Sequence, residues 1–233
     1  MSFSIYTDTA AWAQDKYKVH ATSSTTSTND MAKESGFSSE ALFFITEKQS
    51  KGRGRGHNSW STGAPGHGLL CSFSYLSERP IQPIATPLIG LAIFKSLQNT
   101  WPHLNFSLKA PNDIFLEDKK IAGILVEALS KGEQQQIIIG LGLNALSAPK
   151  GVDVAGFIGQ DVTSNQWLQF LNELDKNLKY CLITLCEPHI SKGNQEALTV
   201  ALKKYPNIAN NFDHISEKGD LVFTDHTTHW TEL

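Results

Sequence analysis

Two apolar runs of strand length, 41–46 (ALFFIT) and 68–76 (GLLCSFSYL), flank the stretch GRGRGHNSW at 52–60. A loop that leaves one strand and enters the next constrains the chain to a sheet built around it. It also argues against a Walker-type phosphate loop, which must open a helix and end in GK[ST]. Glycines at 52, 54 and 56 allow the backbone to approach a bound group closely, at an entropic cost that leaves the free loop mobile. Two of the three arginines in the chain, Arg53 and Arg55, lie here against 17 lysines elsewhere. The stretch therefore supplies guanidinium forks, which suit phosphate or carboxylate, and not charge alone. Because the net charge is −3, the positive character is local, which argues against a surface dedicated to nucleic acid or anionic membrane.

The other periodicities extend the pattern. The segment SSTTSTND precedes a short helix at 29–35 that closes at Gly36. A helix is expected at 84–100, and 114–129 (IFLEDKKIAGILVEAL) reads as a hairpin turning at EDKK. A strand at 136–146 carries two glycines, where a bulge or a close approach is expected. Amphipathic helices follow at 165–186 and 194–204, and the polar tail to Leu233 reads as a solvated end. In that tail His226 and His229 form only a weak metal pattern. The order predicts an α+β fold, a mostly antiparallel mixed sheet with packed helices. With 233 residues and 40% apolar content, one large domain or a domain with a small appendage is expected. Cys71, Cys181 and Cys186 show neither CxxC nor Cys/His spacing and read as core residues in a reducing compartment. No apolar run approaches the roughly 18 residues of a membrane span and no signal peptide is visible, so the cytoplasm is the expected compartment.

Four polar or glycine-rich islands lie beside the strands: Ser27-Thr28-Asn29, Gln49 with the arginine loop, Lys109-Ala-Pro-Asn-Asp113, and Gly140-Leu-Gly-Leu-Asn144. Singly they read as a helix cap, a hairpin loop, a proline turn and a bulged strand. Together they supply an anion site: two forks and backbone amides, a lysine point charge, an amide for a metal or phosphate, and uncharged groups for a small polar head. Neither G-x-S-x-G nor a Cys with an evident His partner appears. A reaction whose substrate carries its own nucleophile, such as phosphoryl or adenylyl transfer, needs only positioning and charge stabilisation.

The series STN, Q-x-x-GRGR with Trp60 and Gly66, K-x-PNDI…KKIAGILVE and IGLGLN resembles the catalytic domain of the biotin protein ligases, of the biotin/lipoate ligase superfamily, over about 24–144. The resemblance implies a class II synthetase-like fold and ATP-dependent formation of biotinyl-adenylate, followed by transfer of biotin to a lysine. It also implies the roles. Ser27, Thr28, Asn29 and Gln49, with the backbone at Gly123, Gly140 and Gly142, would contact biotin. Arg53 and Arg55 would hold the phosphate and close the loop over the adenylate, and Lys109 would bridge the carboxylate and α-phosphate. Trp60 would pack near the adenine, although a core tryptophan reads equally well, and Asn112 would contact the nucleotide. Asn144 would lie by the nucleotide or by Mg2+, which enters with ATP. The implied acceptor is a biotin carboxyl carrier domain of a carboxylase, with a homodimer as a compatible assembly and no DNA or membrane partner.

The chain departs from that pattern in places. Ala110 stands where the family has Trp, and Gly56-His57-Asn58-Ser59 lacks the further arginines of many bacterial members. No room is seen for an N-terminal helix-turn-helix. The expected division is a catalytic domain at 1–190 and a short extension at 191–233 that is not a full SH3-like domain. The rival readings are a catalytically weakened relative that binds biotin or an acyl-adenylate, a lipoate ligase on the same fold, and a nucleic-acid module using the arginine loop.

Overall fold

Alternate residues of the central strands are apolar and point to one face of a sheet, and this alternation sets the layers of the molecule. The structure, a computed structural model, describes residues 3–56, 58–206, 208 and 210–232, so His57 lies outside the described residues. In chain order the elements are α1 (Ile5–Ala13), β1 (Lys18–Thr25), α2 (Thr28–Ser35), β2 (Leu42–Gln49), β3 (Gly68–Ser77), α3 (Ala85–Thr100), β4 (Phe106–Lys109), β5 (Asp113–Leu116), β6 (Lys119–Lys131) and β7 (Gln134–Asn144). There follow α4 (Ser164–Leu182), α5 (Lys192–Lys203), β8 (Phe212–Ile215), β9 (Leu221–Phe223) and β10 (Thr227–Thr228).

The main sheet has seven strands in the order β1-β2-β3-β7-β6-β5-β4. Only β1 and β2 pair in parallel; the other neighbours are antiparallel. A parallel pair needs a crossover, and α2 provides it. The mostly antiparallel α+β architecture expected from the sequence is the one observed.

On one face, Phe43, Phe73, Ile139, Leu141 and Leu143 pack with Ile89 and Trp101 at α3 and with Trp167 and Phe170 of α4. On the other face α2 packs against the strands, through Ala32 against Leu42, Phe44 and Ile138. Beyond α2 that face carries the Trp60 ring and borders a large cavity. Helix α4 begins with a capping box, in which Thr163 Oγ1 accepts from the Gln166 N–H and Gln166 Oε1 accepts from the Thr163 N–H. It ends at Leu182 and not at Cys186, where a turn has replaced the helix.

Two segments differ from the sequence reading. The polar lead forms α1 and β1. The strand KVHATSST lies at the sheet edge with no fully buried position, so it lacks the apolar alternation that marks a strand. A buried knot holds this segment to α4: the Tyr17 hydroxyl donates to Asp175, Tyr75 lies 3.0 Å from Tyr17, and Lys179 pairs with Asp175 at 2.9 Å. The tail is not a solvated end either. Strands β8, β9 and β10 form a small antiparallel sheet, and Phe212, Ile215, Leu221 and Trp230 join the main core. His226 is exposed and pairs with Asp225 at 2.8 Å. Among the described residues no group of three or more His, Cys, Asp or Glu could hold a metal ion.

Candidate active site

Strand register builds the site. Gly140, Gly142 and Asn144 alternate along β7 and therefore share one face, the face on which α2 packs. Across β6–β7, Gly123 stands opposite Gly142, and across β3–β7, Ser72 stands opposite Gly140. The absence of side chains at the three glycines makes room for other groups. A Cβ on Gly140 would overlap the Asn29 carboxamide, and one on Gly142 would overlap the Trp60 indole. A Cβ on Gly123 would lie 2.9 Å from Trp60 Cζ3. The strand runs through Gly140 and Gly142 without a bulge, so close approach by side chains accounts for these glycines.

This face borders a cavity of about 1030 Å3, and every residue expected at the site lines it: Ser27, Thr28, Asn29, Gln49, Arg53, Arg55, Trp60, Lys109, Asn112, Gly123, Gly140, Gly142 and Asn144. The volume is at the upper end of the ~300–1,000 Å3 typical of small-molecule sites. Loop, helix and strand ends separated along the chain thus converge on one space.

At the α2 end, the Thr28 N–H donates to Gln49 Oε1 at 2.8 Å. Ser72 Oγ lies 2.7 Å from Thr28 Oγ1 and donates to Asn29 Oδ1 at 2.6 Å. Asn29 Nδ2 donates to Glu127 Oε2 at 2.8 Å and to the Leu125 carbonyl at 3.3 Å. Ser27 precedes α2 but its side chain makes no capping bond. Sequence reasoning did not single out Ser72 or Glu127. The signals were present, a pair of serines in the otherwise apolar run GLLCSFSYL, both of them buried, and the glutamate that closes KKIAGILVE.

Glu127 also organises the charges. Lys33 Nζ lies 2.6 Å from its Oε1, and Arg53 reaches it at 3.1 Å while pairing with Asp30 at 2.6 Å. Burial on its own would raise the Glu127 carboxyl. The hydrogen bonds from Lys33 and Asn29 and the charge of Arg53 outweigh it and hold the group below its ordinary value. A depressed carboxylate contributes stability that is complete above the unfolded value, near ~4.3, and is lost as pH falls through the folded value. Thermal melting should therefore lose stability with acidification below that range, with a shallower acid slope in Glu127→Gln. Identical slopes in the two proteins would remove Glu127 as the source.

The arginine loop is itself a small ladder. The Gly54 N–H donates to the Asn58 carbonyl at 2.8 Å and the Trp60 N–H to the Gly52 carbonyl at 2.9 Å. Arg55 Nη2 lies 3.5 Å from the carbonyl oxygens of Trp230 and Thr231, so the loop touches the C-terminal segment. Both arginines engage protein acceptors here, and a phosphate would have to exchange for those partners. The Trp60 ring rests against Gly123 and Gly142, the glycines expected beside biotin, so the structure brings it to that part of the cavity.

At the opposite end, Lys109 ends β4 and stands opposite Asp113 in the β4–β5 strand register. Asp113 is itself paired with Lys120 at 2.7 Å. The Lys109 Nζ faces the rings of Phe115 and Tyr205, each centroid 5.9 Å away. Neither ring was singled out from the sequence. Asn112 Nδ2 donates to the Ile124 carbonyl at 2.9 Å, pinning the turn to β6. Asn144 Nδ2 donates to the Gly156 carbonyl at 3.0 Å, while its buried Oδ1 has no hydrogen-bond partner among the described residues. That oxygen fits a cation or a hydroxyl donor. The Cys71 thiol is buried and held far above its usual range, and burial pushes Cys181 up to about 12. Neither is an activated nucleophile.

Residues 21–144 match the model of the biotin/lipoate A/B protein ligase family. The match covers more than half of the chain, and the chain belongs to that family. The bifunctional ligase/repressor BirA of Escherichia coli is 31% identical over 172 residues, which are 71% of this chain and 51% of the relative. The biotin–[acetyl-CoA-carboxylase] ligase of Mycobacterium tuberculosis is 32% identical over 123 residues, 51% of this chain and 45% of the relative. The chain spans about half the length of these curated relatives. The structure of a biotin protein ligase from Aquifex aeolicus in complex with biotin and ATP superposes with a TM-score of 0.65 at 24% identity, covering 91% of this chain and 94% of that one. That likeness is one of fold. Among the described residues no helix is long and apolar enough to cross a membrane.

Proposed function

We propose that this chain activates biotin with ATP as biotinyl-adenylate and transfers it to a lysine of a biotin carboxyl carrier domain. The supporting observation is the convergence of all the expected site residues on one cavity. The cavity crosses the sheet from the α2 end to the β4–β5 edge, a span of several strand spacings of ~4.8 Å, which suits two ligands laid end to end.

In the first step a carboxylate oxygen of biotin attacks the α-phosphorus of ATP. The new P–O bond replaces the bond to the departing pyrophosphate. Ser27, Thr28, Asn29 and Gln49 hold the polar head of biotin, with the Trp60 ring as an apolar wall over Gly123 and Gly142. Lys109 carries its charge to the junction between carboxylate and phosphate, where negative charge develops. Arg53 and Arg55 exchange their protein acceptors for phosphate oxygens and close the loop over the adenylate. In the second step the carrier amine attacks the acyl carbon of the mixed anhydride and AMP leaves with the bonding electrons. Asn144 Oδ1 would be the protein oxygen that holds a Mg2+ entering with ATP, and the ion would supply positive charge to the phosphates. Asn112 acts on the nucleotide side through its grip on the turn. Residues 191–233 serve as an extension of the catalytic unit.

Biotin-dependent exchange of pyrophosphate into ATP tests this reading. No exchange at saturating biotin and ATP would overturn it. A thermal shift produced by lipoate and not by biotin would assign the fold to the other acid, because only the true ligand stabilises by mass action.

A further inference from the structure

The mechanism above leaves unexplained how Lys109, an exposed lysine with four rotatable side-chain bonds, is kept at the reacting junction. Among the described residues no carboxylate pairs with it; the nearby Asp113 is committed to Lys120. Instead its ammonium faces two aromatic rings, each 5.9 Å from Nζ. The rings belong to Phe115 and Tyr205 and touch one another, with centroids 5.0 Å apart and planes tilted by 59°. Both line the cavity, as does Ala110, whose methyl group offers no ring of its own.

Each ring has a local reason to be there. In the β4–β5 pair Lys109 is opposite Asp113 and Ser107 is opposite Phe115, so Lys109 and Phe115 are diagonal neighbours on one face. Tyr205 comes from the chain just beyond α5. Its N–H donates to the Leu202 carbonyl at 2.9 Å, and its own carbonyl accepts from the Ile208 N–H at 3.1 Å.

We propose that Tyr205, together with Phe115, forms a two-ring cradle that positions the Lys109 ammonium for adenylation. Ring faces attract the cation without neutralising it, whereas a carboxylate partner would compete with the substrate for its charge. Tyr205 is thus a positioning residue: it acts through Lys109 and ties residues 191–233 to the chemistry of the β4–β5 turn. The catalytic half of this inference rests on the ligase reading; the geometric half does not.

The test uses the full chain with Tyr205→Ala and Tyr205→Phe. Biotin-dependent pyrophosphate exchange should lose about tenfold in kcat in Tyr205→Ala, from cation–π contacts of ordinary strength. The KM for biotin should be unchanged, and Tyr205→Phe, which keeps the ring, should restore the rate. In a Lys109→Ala background Tyr205→Ala should cost nothing more. An equal loss in that background, or no rescue by Phe, would overturn the positioning role. A readout independent of activity is reductive 13C-methylation, which preserves lysine charge, with the Lys109 resonance assigned by Lys109→Arg. That resonance should be moved by ring currents in the wild type and Tyr205→Phe and should relax toward exposed lysines in Tyr205→Ala. A resonance insensitive to Tyr205→Ala would overturn the cradle whatever the enzyme does. Absence of exchange in the wild type, with the ring-current shift present, would overturn the ligase reading and with it the catalytic half alone.

Discussion

Lys109→Ala is expected to cut biotin adenylation by roughly a hundredfold to a thousandfold, the scale seen when one preorganised donor is removed from developing negative charge. Biotin binding should change little, because the residues proposed for the head group, Ser27, Thr28, Asn29 and Gln49, line the α2 end of the cavity. The asymmetry follows from position. Lys109 ends β4 at the far edge of the sheet order, whereas α2 packs near β2, β3 and β7. Its ammonium has aromatic neighbours and no paired carboxylate among the described residues, so its removal leaves no buried counter-charge behind. The loss should therefore appear in kcat and not as unfolding. Pyrophosphate exchange and biotin calorimetry on the same preparation decide it: exchange within about fivefold of wild type, well short of that scale, would take Lys109 out of the mechanism.

Gly140→Ala should weaken biotin binding by about tenfold to a hundredfold, the range covered by losing one or two hydrogen bonds, some of them charge-assisted. The residue does not have a left-handed backbone, so alanine is tolerated conformationally; the obstacle is steric. The new methyl would overlap Asn29 Oδ1 and lie 3.0 Å from its Cγ and 3.1 Å from its Nδ2. Asn29 cannot step aside cheaply, because Ser72, Glu127 and the Leu125 carbonyl all hold its amide. Displacement would disturb the Glu127 cluster and, through it, Arg53. Gly193→Ala is the matching control. A methyl there meets nothing within 4 Å, and alanine favours the helix by up to ~1 kcal/mol. Biotin affinity in Gly140→Ala within about threefold of wild type, less than the loss of one such bond, would show that Asn29 does not hold the head group.

The strands and helices that carry the site were legible in the sequence because their periodicities are local. The strand read at 136–146 is β7 at Gln134–Asn144, and the helix read at 84–100 is α3 at Ala85–Thr100. The hairpin turn at EDKK is also found, with Glu117 at a positive φ of 53°. The first strand was not legible, because an edge strand with partly exposed faces needs no apolar alternation. The tail was not legible because its strands are short and its buried residues, Phe212, Ile215, Leu221 and Trp230, are scattered among polar ones.

By itself the sequence determined the chemistry available: scarce arginines set among glycines, a lysine before a proline turn, and alternate glycines that clear one face of a strand. These depend on residue type and spacing over a few positions. Only the tertiary structure decided how those groups are engaged. It pairs Arg53 with Asp30 and Glu127, brings Arg55 to the carbonyls of Trp230 and Thr231, and lays Trp60 over Gly123 and Gly142. It also brings Tyr205 from beyond α5 to Lys109. Such contacts arise from strand register and helix packing between distant parts of the chain, and no local pattern encodes them.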